Sequence, residues 1–187
     1  MRSLLCVLAL AAAASAQTFG PSVSNSIHDA PRDGLGDSFN APTFPGLLRQ
    51  TSTQEDRAVQ EFDLTALAGA TLQSATLSGT VSVNNAFDNG PRTFDFALYA
   101  GNGTVDLSDF QVAATIVGGG SYHPPTQTSF TYSFDVTSTV QSLLNGGANF
   151  VGLKVDCSSE PNFPNLLDPV TSQLVVVVAS CAPPVSY

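Results

Sequence analysis

The chain has 187 residues, with fifteen Asp and Glu against six Lys and Arg, a formal net charge of −9 and no tryptophan. An acidic chain without a basic cluster is a poor partner for phosphate, so neither nucleic acid nor an anionic membrane surface is expected to bind it. After the N-terminal segment no apolar run approaches the roughly 20 residues of a membrane-spanning helix, so no membrane insertion is expected.

Residues 1–16 read as a secretory signal peptide. Arg2 supplies the positive start, Leu4 to Ala14 the apolar stretch, and Ala14-Ser15-Ala16 a small-residue cleavage site. The expectation is a secreted, extracellular chain that begins at Gln17 and forms a single domain over 17–187. Residues 17–50 are rich in Gly, Pro, Ser and Asn and weakly periodic, and are expected to be irregular apart from a short strand near Ser26 to His28.

Arg57 to Leu64 is the first clear strand, followed by a turn over Thr65 to Gly69. Thr71 to Val83 alternates cleanly: Leu77, Val81 and Val83 fall on one face, Thr76, Ser78, Thr80 and Ser82 on the other. A period of two marks a half-buried strand, because successive side chains point to opposite faces. Thr93 to Ala100 alternates in the same way. Gln111 to Val117 reads as a strand closed by Gly118-Gly119-Gly120, and Ser129 to Val136 as one with Phe130, Tyr132, Phe134 and Val136 on one face. Thr137 is placed to cap a short helix, Ser138 to Leu144, stopped by Asn145-Gly146-Gly147. Phe150 to Val155 and the apolar Gln173 to Ala179 complete the strands, the last one expected to be covered on both faces. Residues 181–187 form a short tail. Many short strands with connections longer than hairpin turns predict an all-β fold: a two-sheet β-sandwich of jelly-roll type with one short helix.

Few residues invite chemistry. Asp63 and Asp135 each end a strand before a turn, where a carboxylate accepts nearby backbone N–H groups; a paired acid and base across a cleft is the rarer use. Asp33, Asp37 and Asn40 sit in a Gly-containing loop and offer hard oxygen ligands, so either a structural calcium or a solvated acidic loop fits them; no other cofactor is expected. His28 and His123, the only histidines, read as loop residues, without an HExxH or cysteine pair to suggest zinc. No GxSxG elbow is present. Tyr99, opposite the Phe94, Phe96 and Leu98 face, and Tyr122, in a loop, are the exposed aromatic candidates for stacking on a sugar. Asn102-Gly103-Thr104 is a glycosylation sequon in a turn. Secretion permits a disulfide between Cys157 and Cys181. Each ends an expected strand, and if those strands were antiparallel neighbours the two ends would lie about 20 Å apart. A bridge and two free thiols both stay open.

Taken in order, Arg57-Ala-Val-Gln-Glu-Phe-Asp-Leu64, Ser74-Ala-Thr-Leu77, Phe134-Asp-Val-Thr137 with Val140-Gln-Ser-Leu143, and Val151-Gly-Leu153 resemble the DNRLRE-type secreted modules, jelly-roll domains placed among carbohydrate-binding modules. The resemblance covers most of Asp29 to Val178. It departs from the pattern in lacking tryptophan and in an insert around Gly118 to Pro125. It implies a non-catalytic extracellular module with affinity for polysaccharide. The expected function is thus adhesion or polysaccharide contact without catalysis. A structural or matrix protein without a small ligand is the alternative, and a glycan-processing enzyme the third reading.

Overall fold

The structure is a computed structural model and describes residues 15–42, 45–83, 91–123, 127, 129–158, 165–167 and 171–179. Residues 1–14 of the expected signal segment and the tail 181–187 lie outside them.

In chain order the strands are β1 (Ala16–Phe19), β2 (Val23–Asp29), β3 (Ser38–Phe39), β4 (Leu47–Gln50), β5 (Glu55–Asp63), β6 (Leu72–Val83), β7 (Arg92–Gly101), β8 (Thr115–Tyr122) and β9 (Ser129–Asp135). The helix α1 (Thr137–Asn145) follows, then β10 (Phe150–Cys157), β11 (Asn165–Leu167) and β12 (Gln173–Val178). All pairings are antiparallel. A front sheet runs β1–β12–β6–β9, with β11 continuing along the β12 edge of β6. A back sheet runs β3–β2–β5–β10–β7–β8. Strand β4 pairs with β11 and with the start of β5, joining the two layers along one side. The all-β sandwich expected from the alternation is therefore present.

The inward residues of the two sheets meet in one core. Leu77, Val81, Tyr132, Leu174 and Val176 come from the front, and Phe62, Phe94, Phe96, Leu98, Val151 and Leu153 from the back. Each such side chain, fully buried, stabilises the fold by about 1.5–3 kcal/mol. The Phe96 ring centroid lies 4.4 Å from that of Tyr132 and 5.2 Å from that of Phe134, so β9 and β7 are clasped across the gap by aromatic packing. Helix α1 closes one end with Val140 and Leu144. Its Gln141 accepts the Leu72 N–H at 2.7 Å and donates to the Ala70 carbonyl at 3.2 Å. Gly147, at φ 87, ends the helix, with Ala148 N–H bonded to the Leu143 carbonyl. No helix of the described residues is long and apolar enough to cross a membrane.

Four local expectations are corrected. Residues 17–50 are not irregular but supply four strands, because β2 is held by seven residues of register with β5 rather than by its own apolar pattern: Ser26 and Asp29 are buried there as polar groups. His28 accordingly lies in a strand. The second strand of the 92–135 region, β8, starts later than its apolar residues suggest and includes the glycines. In β8, Gly118 backs onto the Phe134 ring and Gly120 onto the Phe130 ring, so a side chain at either would occupy the space of an aromatic ring of β9. Glycine here is a packing requirement and not a stop signal. Lastly, β12 is buried through Leu174 and Val176, while Val175 and Val177 are only half-covered, so one of its faces is open.

Candidate functional site

The two sheets present different outer faces. On the front, alternation turns the hydroxyl residues of β6 outward, and the register with β9 sets them side by side: Ser78 faces Ser133, Thr80 faces Thr131 and Ser82 faces Ser129. The β9 members are exposed and the β6 members half-buried. Pairs across the strands stand roughly 5 Å apart, and successive pairs about 7 Å apart along them. Among the described residues, no hydrogen bond within the protein engages the hydroxyls of Ser78, Thr80, Thr131 or Ser133. Each can donate one hydrogen bond and accept others. Among the described residues the face is uncharged except at its helix end, where Asp135 accepts the Thr137 N–H at 3.0 Å and its hydroxyl at 2.6 Å.

The back sheet's outer face is covered. The connection from β7 to β8, residues 102–114, lies across it and packs Val105, Leu107, Phe110 and Val112 against Ile27, Val59 and Tyr99. Tyr99 thus points away from the main core as expected, but it is only 2 % exposed and cannot stack on a sugar. Alternation placed it on the outer face and could not reveal what covers that face. Tyr122 is the last residue of β8, and its side chain lies outside the described part.

Beneath the covering segment lies a group of titratable residues that no sequence motif marked. Glu61 accepts the N–H groups of Asn102 at 3.2 Å and Gly103 at 2.5 Å. Asp109 accepts the Asp106 N–H at 2.8 Å, and Asp106 in return accepts the Ser108 N–H at 2.8 Å in a reciprocal cap. Burial pushes the Glu61 and Asp109 carboxyls above the usual carboxylate range, and their backbone donors offset this in part. The Tyr99 phenol is pushed far up, by burial first and then by the charges of Asp109 and Glu61. Lys154 donates to the Phe110 carbonyl at 3.1 Å and the Val112 carbonyl at 2.9 Å, and burial lowers its ammonium. Raised carboxyls suit a general acid, but Glu61 and Asp109 are closed off from any substrate.

The sequence-derived candidates are not drawn together. Asp37 accepts the Ala30 N–H at 2.7 Å and Asp33 the Leu35 N–H at 3.0 Å, each bracing its own loop. Asn40 turns its amide nitrogen inward, to Ser26 Oγ at 2.9 Å and Asp56 Oδ1 at 2.8 Å. Asp56, fully buried, also receives His28 Nδ1 at 2.8 Å and Arg49 Nε at 2.5 Å, so Asn40 belongs to a pin that ties β2, β4 and β5. Among the described residues no group of three or more His, Cys, Asp or Glu could hold a metal ion. Asp63 accepts the Thr65 N–H at 2.9 Å. Hydrogen bonds from Thr65 and Thr137 hold the Asp63 and Asp135 carboxyls below their ordinary range, the opposite of what a general acid needs. His123 is exposed beyond the end of β8. Asn102 is exposed, with its side-chain oxygen accepting from the Thr104 hydroxyl at 2.7 Å. Cys157 is buried at the end of β10 beside Phe94, and burial raises its thiol well above the ordinary value. Its proposed partner Cys181 lies outside the described residues; β12, which leads to it, belongs to the other sheet, and Ala179 bonds Thr71 near the helix end.

No protein-family model matches the chain, and no curated protein sequence matches it. Similar solved structures include Xylanase10C from Cellvibrio japonicus in complex with xylopentaose, at 11 % identity over 85 % of this chain and 28 % of that one, with a TM-score of 0.48. The chain therefore spans less than a third of that enzyme's length. The xylan-binding module CBM15 is similar at 9 % identity, over 88 % of this chain and 97 % of that one, with a TM-score of 0.45. A carbohydrate-binding module from a family 9 glycoside hydrolase of Ruminococcus flavefaciens FD-1 is similar at 11 % identity, over 84 % of this chain and all of that one, with a TM-score of 0.33. Likeness at this level speaks to neither the ligand nor the activity of this chain.

Proposed function

We propose that the chain is a secreted, non-catalytic β-sandwich module that contacts neutral polysaccharide through the outer face of β6 and β9. The observation that supports this is the paired hydroxyl array of Ser78–Ser133, Thr80–Thr131 and Ser82–Ser129, uncharged and open to solvent. A polyhydroxylated chain offers the same donor and acceptor groups as these side chains, repeated along its length. A flat, regularly spaced face takes many weak hydrogen bonds at once, each of about 0.5–1.5 kcal/mol. The described residues of the face include no aromatic ring pointing outward, so the binding is expected to rest on hydrogen bonds and to be weak per site.

Retention on insoluble cellulose, xylan and chitin tests this. The wild-type chain should be held back on at least one of them. The double variant Thr80→Glu with Thr131→Glu, which sets two like charges opposite each other on the face, should not be retained. Wild-type protein that passes through all three, or a double variant retained as well as wild type, would overturn the reading.

A further inference from the structure

Residues 102–114 behave as a strap across the back sheet, and charged side chains beneath it hold it down. Glu61 of β5 binds its start at Asn102 and Gly103, while Arg57 Nη1 at 2.6 Å and Lys154 Nζ at 3.1 Å both reach the Phe110 carbonyl. The Arg57 guanidinium also lies 4.0 Å from the centre of the Phe110 ring. These cations make their hydrogen bonds and ion pairs elsewhere than on the Glu61 and Asp109 carboxylates, although the Lys154 charge acts on Asp109. Arg57 Nε pairs with Glu55 at 2.6 Å and with Asp156 at 3.3 Å, and Lys154 is directed at two carbonyls. Between Glu61 and Asp109 the remaining donor is the Tyr99 hydroxyl, which carries one proton for two carboxylates. Its oxygen is buried and makes no well-aligned hydrogen bond to either. Two buried carboxyl groups thus share the underside of the strap with one phenol.

We propose that the strap is a latch tightened by a proton: uptake of one proton within the Glu61–Tyr99–Asp109 cluster holds residues 102–114 down, and its loss at higher pH loosens them from the sheet. With the proton bound, one carboxyl donates to the other or to Tyr99 Oη, and two anions no longer face each other under cover. The charged groups acting on the cluster are Asp106 on the strap and Lys154 on β10, while β2 contributes the uncharged Val23, the register partner of Glu61.

The carboxyls of Glu61 and Asp109 are both raised, chiefly by burial. A closed strap therefore binds more protons than an open one, between the ordinary carboxylate range and the raised values. Closure is favoured below that window and is weakened as pH rises through it.

Hydrogen exchange of the full chain, read by mass spectrometry and corrected for the intrinsic pH dependence of exchange, tests this between about pH 5 and about pH 8, above the ordinary carboxylate range. The amides of 102–114 should be several-fold better protected at the lower pH, with β9 as the internal reference. Glu61→Gln, which keeps one of the two oxygens that accept from Asn102 and Gly103, should flatten that dependence, and so should Asp109→Asn, which leaves Glu61 and both of those bonds in place. Should one variant not fold, the other still decides against wild type. Strap protection that is equal at both ends, that is greater at the higher pH, or that changes with pH as in wild type when either carboxyl is an amide would overturn the proposal.

Discussion

The front and back sheets are built from strands of similar length, yet they use the two-residue alternation differently. Strand β6 sends Leu77 and Val81 inward and its Ser and Thr outward, and the outward side meets solvent. Strand β5 buries both of its sides: Phe62, Ala58 and Gln60 face the main core, and Glu61 and Val59 lie beneath the strap. The front face is free to meet a partner from outside. The back face already has one, supplied by its own chain. Alternation thus tells which residues share a face, and the connection that lies over a face decides whether that face is a surface.

If the back face is a second core, its central residue should carry a core-sized energy. Phe110 is fully buried between Ile27, Val59 and Tyr99 and lies under the Arg57 guanidinium. Phe110→Ala is expected to cost about 3–5 kcal/mol in chemical denaturation, the range for a buried phenylalanine. A loss below about 1 kcal/mol, the level of a surface change, would mean that the strap only rests on the sheet and that the two faces differ less than described.

The inner side of β5 gives a smaller test of opposite sign. Gln60 is fully buried, and among the described residues neither Oε1 nor Nε2 has a hydrogen-bond partner. An orphaned buried amide costs about 1–3 kcal/mol. Gln60→Leu keeps most of the volume and removes the two polar atoms, so its midpoint in urea should rise by an amount equivalent to about 1 kcal/mol or more. A fall would show that the amide is satisfied by buried water and that β5 tolerates its polar inner side without penalty.

Most strands were legible because their pattern is local: β6, β7, β9 and β10 each alternate over several residues, and the helix has a glycine stop. Strand β2 was faint because it buries a polar residue on each of its faces, Ser26 on one and Asp29 on the other, and hydrogen bonds outside the strand make that burial tolerable. Ser26 Oγ donates to the Leu47 carbonyl at 2.8 Å, and Asp29 accepts the Gly34 N–H at 2.9 Å. Strand β8 was misread at its end because three glycines signal a turn locally, while two aromatic rings of β9 demand them across the sandwich. The hydroxyl face could be read as an outward face from β6 alone. Its pairing with β9, which turns a row into an array, is a matter of register and appears only in three dimensions. The Glu61–Tyr99–Asp109 cluster left no signal, since its members are far apart in sequence and share no motif.

The smallest expected effect on stability falls on the front face, where it separates binding from folding. Thr131 is exposed and opposite Thr80. Thr131→Val replaces a hydroxyl by a methyl group of similar shape and keeps the β-branched side chain that suits a strand. Stability should change by no more than about 0.5 kcal/mol, as for most surface substitutions. Polysaccharide retention should nevertheless weaken, by about 0.5–1.5 kcal/mol for a single hydrogen bond and by more when Thr80→Val is added. If retention instead improves with each added methyl group, the face binds by apolar contact, and the hydroxyl array is not what the ligand reads. If stability falls along with binding, the hydroxyls serve the sheet itself, and the front face resembles the back face in being part of the structure rather than a surface offered to a partner.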